Sequence, residues 1–188
     1  MSTATAMMRS STKRRFTRVD TKSLVGAVLL GVVFVLVQQI AHRIDAMINP
    51  ACVVVGGITW ATMTALVVLC YRQPAGIITA EVAAFTALAT GLSPLALFFV
   101  PANGLGSLAY SLVAWRLPMT KWGHHVAAQV LTNAVGNFCV AVGLKVVLNL
   151  PVQVILVAAG ITTAAGIIGG TIFTRIIYEN VLKSGVLK

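Results

Sequence analysis

Between Leu24 and Ile177 only eight side chains carry a formal charge: Arg43, Asp45, Arg72, Glu81, Arg116, Lys121, Lys145 and Arg175. Most of the apolar runs that these charges and the prolines delimit are about twenty residues or longer, the length an α-helix needs to cross the roughly 30 Å hydrocarbon core of a bilayer. The third run, 75–90, is short and just spans it if neighbours help. Seven of the eight charges interrupt or end such runs. Glu81 alone lies inside one, with Gly76-Ile77-Ile78-Thr79-Ala80 before it and Val82-Ala83-Ala84-Phe85 after it. Soluble domains also contain apolar helices, but charged surface separates them, whereas here 58% of residues are hydrophobic and 10% charged. The pattern dictates an all-α integral membrane protein.

Six spans are expected, at 23–41, 51–70, 75–90, 95–115, 123–148 and 151–178. Their stops are His42-Arg43-Ile44-Asp45 with Asn49-Pro50, then Tyr71-Arg72-Gln73-Pro74, Gly91-Leu92-Ser93-Pro94 and Arg116-Leu117-Pro118. Pro101 predicts a kink or a late start in the fourth span, and Pro151 suits the first turn of the sixth. The first run is too long for a signal-peptide core and no small-residue cleavage site follows it, so it is read as a helix. Six of the fourteen basic residues precede it, which makes 1–22 a disordered cytoplasmic tail and 23–188 the transmembrane domain.

With both termini inside, the tail, Arg72, Arg116, Lys121, Arg175, Lys183 and Lys188 place 12 basic residues on the cytoplasmic side and Arg43 and Lys145 place 2 outside. That split predicts an N-in, C-in bundle in the cell membrane. The net charge of +10 is therefore read as topology, and with no RNA-reading motif in the chain a nucleic-acid partner is not expected. No internal repeat points to an inverted-repeat transporter. Cys52, Cys70 and Cys139 lack metal-ligand spacing and read as small buried hydrophobes.

A carboxylate in hydrocarbon or in a protein cavity is costly unless protonated or paired, so Glu81 is the best pointer to function. Counting helical rise from the nearest cytoplasmic charge puts Glu81 at about 14 Å, Trp60 and Asn133 at about 18 Å, Asn103 at about 20 Å, and Asn137 with Gln38-Gln39 near about 24 Å. His125, Gln129, Asn133 and Asn137 recur every four residues, which places them on one slowly drifting face of the fifth helix. A polar stripe in a membrane helix faces protein or water: it forms either interhelical hydrogen bonds or a pocket wall, and the shared depth of Trp60, Glu81 and Asn103 favours the pocket. His124-His125 falls near the cytoplasmic interface and reads as a solvated or interfacial pair in preference to a proton relay. Ala27 with Gly31, and Gly166 with Gly170, are small-xxx-small pairs that let a helix approach closely, from within the bundle or from a partner.

Enzymatic chemistry is not expected. Only Asp20, Asp45, Glu81 and Glu179 are acidic, no nucleophile is paired with a base, no metal cluster or Walker A motif is present, and no cofactor is called for. Asn103-Gly104-Leu105-Gly106 looks like half of a dinucleotide fingerprint but follows no strand. One deep carboxylate with amides and an aromatic suits a small polar or cationic ligand.

Taken together, a chain of this length with six spans, a basic N-terminus, the Ala27/Gly31 pair and no ATPase resembles the substrate-binding S component of an energy-coupling factor vitamin transporter. Arg72-Gln73-Pro74-Ala75-Gly76 leading to Ala80-Glu81-Val82-Ala83-Ala84, then Asn103-Gly104-Leu105-Gly106 before Trp115-Arg116, is similar to the branch associated with thiamine and its hydroxymethylpyrimidine precursor. The match covers roughly 60–116 and departs from the branch at Asn103 and Ser107, where Gln and an acid are common.

The resemblance implies an importer subunit that captures a vitamin and works with a transmembrane coupling protein and two cytoplasmic ATPases. Glu81 would pair with an aminopyrimidine or thiazolium-like cation, Trp60 would stack, and Asn103, Asn133 and Asn137 would hydrogen-bond the ligand. Residues 42–50 would form a lid, and Ala27 and Gly31 would dock the coupling protein. The alternatives are a self-sufficient proton-coupled carrier or channel using Glu81 and His125, and a structural membrane subunit.

Overall fold

The computed structural model describes residues 21–48, 53–71 and 75–185. Most of the expected tail, Asn49-Pro50, Cys52, Arg72-Gln73-Pro74 and Lys188 lie outside the described residues. Six helices run through the described chain: α1 Thr21–Ile48, α2 Val55–Cys70, α3 Ala75–Ala89, α4 Ala96–Arg116, α5 Trp122–Leu148 and α6 Val152–Ser184. No strand occurs among the described residues. Four of the helices, α1, α4, α5 and α6, are long and apolar enough to cross a membrane, while α2 and α3 have 16 and 15 residues.

Local chemistry sets the ends. After α4, Leu117 turns extended ahead of Pro118, a residue that disfavours helix before it. Asn149 closes α5 in the left-handed region, φ 47°, where its N–H reaches the Leu144 carbonyl, and Pro151 then leads into α6. Two ends overrun the expectation. His42-Arg43-Ile44-Asp45 does not stop α1, which stays helical to Ile48 with Arg43 on the exposed side and Asp45 turned inward. Helix α6 continues past Tyr178, where Arg175 Nε donates to Glu179 Oε1 at 2.8 Å one turn on.

Helix α2 occupies the centre and touches all five others. The rest form an arc around it, α1 against α3, α3 against α4, α4 against α5 and α5 against α6, and among the described residues α1 and α6 do not meet. No residue of α2 is exposed. Its small residues make the close approaches possible: Gly57 faces Thr162, and a Cβ on Gly170 of α6 would lie 2.6 Å from Ala61 Cβ. The polarity of the bundle is inverted. Thr64, Thr79, Gln129, Thr132, Asn133 and Thr174 are buried, while Leu29, Leu36, Leu97, Phe138, Leu156 and Ile168 are exposed. Polar groups inside and an apolar exterior are the arrangement that a hydrocarbon surrounding selects, and they give the molecule the character of a membrane protein.

Both small-xxx-small pairs are consumed by this packing. Thr79 Oγ1 of α3 donates to the Ala27 carbonyl at 2.8 Å, and a Cβ on Gly31 would fall 2.7 Å from Val82 Cβ and 2.9 Å from the Thr79 carbonyl oxygen. The surface assigned to a coupling protein at Ala27 and Gly31 is thus filled by α3, because the groove left by their missing side chains is where Thr79 enters. Gly166 and Gly170 receive Asn133 and Ala61 in the same way. Thr79→Val removes the interhelical bond with little change of shape, and a loss of about 1 kcal/mol is expected in unfolding measurements.

Candidate functional site

Glu81 lies near the middle of α3 and faces α4 at Gly104, with Oε1 in the space that a Gly104 side chain would take. Its second oxygen, Oε2, is shielded and has no hydrogen-bond partner among the described residues. Among the described residues no Lys, Arg or His lies within ion-pair distance of it. Beside the carboxylate is a groove of about 440 Å³ lined by Ile77, Glu81, Val100, Pro101, Gly104, Leu105 and Leu108. The groove follows from the local sequence of α4: Pro101 cannot donate the helical bond to the Leu97 carbonyl, and Gly104 leaves a gap one turn later. Leu105, 47% exposed, marks its outer lip on the flank of the bundle.

Immediately behind Glu81, three helices are tied together. Trp60 Nε1 on α2 donates to Asn103 Oδ1 on α4 at 2.7 Å, and Asn103 Nδ2 donates to the Ala80 carbonyl on α3 at 3.0 Å. Asn103 is buried and its side-chain donor and acceptor are both engaged. It therefore positions the residue before Glu81 rather than presenting a free amide. The Trp60 ring sits against bare backbone: a Cβ on Gly106 would come within 2.9 Å of it, and one on Gly136 of α5 would overlap it. Depth counting thus brings Trp60, Asn103 and Glu81 to one place.

The α5 stripe divides among three neighbours. Four residues advance a helix by about 400°, so each step of the stripe turns it by about 40°. His125 faces α4 through Tyr110, Gln129 Nε2 donates to the Ala61 carbonyl of α2 at 3.0 Å, and Asn137 Nδ2 donates to Thr163 Oγ1 of α6 at 2.7 Å. Asn133 packs on Gly166 of α6 and donates to Gln129 Oε1 at 3.2 Å. Helix α3 touches neither α5 nor α6. Asn133 and Asn137 are accordingly not gathered around Glu81; the drift that moves the stripe around α5 assigns them to helix packing.

Two further expectations change. His125 is buried rather than solvated. Its Nε2 lies 3.0 Å from the Met119 carbonyl, which can only accept, so Nε2 carries the proton and Nδ1 accepts from the Tyr110 hydroxyl at 3.2 Å. Met119 holds a left-handed conformation, φ 51°, and plugs the core beneath Tyr110, which fixes the α4–α5 turn. Residues 42–48, expected in a lid, belong to α1, and 49–50 lie outside the described residues.

Asp45, 4% exposed, is what the expected lid conceals. Its Oδ1 accepts the N–H groups of Val54 at 3.1 Å and Val55 at 2.8 Å, and Oδ2 accepts that of Gly56 at 2.7 Å. Three orphan donors of the α2 N-terminus are satisfied by a carboxylate from α1, and the helix dipole favours the charge. The signal legible in sequence was an acid shortly before a helix start that lacks its own capping side chain. Among the described residues no group of three or more His, Cys, Asp or Glu could hold a metal ion. Comparison with protein-family models, with curated proteins and with solved structures found no match.

Proposed function

We propose that the chain is the substrate-binding S component of an energy-coupling factor importer. In this reading it is a six-span, N-in and C-in subunit that binds a small vitamin or precursor at Glu81, thiamine or hydroxymethylpyrimidine in the first place, for uptake driven by partner ATPases. The observation that carries it is the Glu81 carboxylate: set in an apolar groove, with one oxygen unpartnered and no cation beside it among the described residues. A desolvated acid in that state calls for a cation or a pair of N–H donors from outside. Beside the carboxylate the groove is lined by aliphatic side chains, proline and glycine alone, so no second polar group stands ready to share a catalytic step with Glu81, and capture is the chemistry that suits it. Helices α2 and α3 serve as spans despite their length because α2 is covered on all sides and α3 lies between α1 and α4.

The test is binding by the purified chain, with native mass spectrometry for a retained ligand and tryptophan fluorescence during titration with thiamine and its pyrimidine precursor. Saturable binding is expected, and Glu81→Gln should weaken it by about 10- to 100-fold, the value of one charge-assisted hydrogen bond. Full-strength binding by folded Glu81→Gln would overturn the site. Proton-driven uptake by liposomes holding this chain alone would replace the importer reading with that of a carrier.

A further inference from the structure

Six of the seven residues lining the Glu81 groove are apolar, and the seventh is the acid itself. The groove, about 440 Å³, is shallow and open on its outer side. We infer, resting on the reading of Glu81 as a ligand-binding residue, that the groove is entered from the flank of the bundle and takes a free organic ammonium ion carried on an apolar body, with the carboxylate as its counter-ion.

The lining disfavours several other ligand classes. A sugar, an amino acid or any polyol would bury hydroxyl or carboxylate groups against Ile77, Val100, Leu105 and Leu108 with nothing to bond them. An anion would meet Glu81. An uncharged apolar molecule would leave the carboxylate unpaired. An ammonium group answers Oε2 with N–H donors, and an apolar body covers the four aliphatic side chains. The route follows from the place of the groove: behind Glu81, Asn103 and Trp60 close the path toward the bundle centre, while the outer lip at Pro101 and Leu105 is exposed on the same apolar surface that lipid would cover.

The experiment uses the full chain in phosphatidylcholine nanodiscs, whose headgroup has no N–H donor. Binding of radiolabelled 4-phenylbutylammonium is measured against 4-phenylbutanol, with empty discs subtracted. The ammonium is expected to bind saturably and at least 10-fold more tightly than the alcohol. Shortening the linker to one carbon should weaken it by at least 10-fold, since the apolar walls lose their contacts. Glu81→Gln should erase the preference for ammonium. Gly104→Ala should reduce it with the fold intact, because the added Cβ meets only the mobile end of Glu81.

Equal binding of ammonium and alcohol, a preference that survives Glu81→Gln, or no dependence on the apolar body would each overturn the inference. Loss of the signal when phosphatidylethanolamine replaces phosphatidylcholine would assign the groove to a lipid and overturn it too. Thiamine binding without ammonium binding would sink this inference and leave the vitamin reading standing; the reverse result would sink the vitamin reading alone; binding of neither would sink both.

Discussion

Asp45→Ala is expected to lower the free energy of unfolding by about 3 kcal/mol, read as a Tm lower by about 10 °C in detergent. The substitution strips three backbone N–H groups of their acceptors at once, at a partly buried helix start, and removes a negative charge from the positive end of α2. Asp45→Asn keeps one acceptor oxygen but turns an amide donor toward other donors, so it should fall between wild type and Ala. The same order should appear for Asp45 variants in lipid, where capping by bulk water is even less available. An unchanged Tm for Asp45→Ala would mean that the clasp contributes nothing, and α2 would then need another explanation for its start at Val55.

Trp60→Ala should cost about 3 kcal/mol, the low end of the range for removing a buried aromatic, because the ring is half-buried. The ring fills space that Gly106 and Gly136 leave open on two helices, and no neighbouring side chain can collapse into it from those positions. Its N–H also holds Asn103, so truncation leaves Oδ1 without its donor and loosens the grip of Asn103 on the Ala80 carbonyl. Lost ligand binding in this variant would therefore report a damaged scaffold. Trp60→Phe separates the effects: it keeps most of the ring, loses only the N–H bond, and should cost about 1 kcal/mol. If Trp60→Ala proved as stable as wild type while binding disappeared, Trp60 would be a direct ligand contact instead of a wedge.

What the sequence made legible was whatever depends on one coordinate along the helix. Helix number and most boundaries follow from apolar run length and from Pro, Gly and charge punctuation, and the α2 and α3 ends at Cys70 and Ala89 fall where those signals put them. Depth counting worked for Trp60 and Asn103, which meet at 2.7 Å, because rise per residue is nearly constant. It was blind to rotation about the axis. Asn133 shares that depth yet faces Gly166, since 40° of drift per step is invisible until the neighbours of α5 are known. Asp45 failed for a different reason: a charge near a helix end reads as a stop, and only the position of the next helix reveals it as a cap. The groove could not be anticipated from Pro101 and Gly104 alone, because it exists only where α3 presents Glu81 to them.

The central place of α2 bears on how the chain can be assembled as it is synthesised. It follows α1 in the chain, but the other helices that cover it, α3, α4, α5 and α6, emerge later. Of its tertiary bonds, those to Asp45 join residues 9 to 11 positions apart, whereas Gln129 reaches Ala61 across 68. Short closures form first at little entropic cost, so the nascent chain can hold the start of α2 against α1 while most of its flank still waits. The final helix brings Gly166 and Gly170 to Asn133 and Ala61, and until it arrives α2 keeps one side bare. A chain interrupted before residue 152 would therefore remain an open half-bundle, with the side of α2 meant for α6 offered to whatever else the membrane contains.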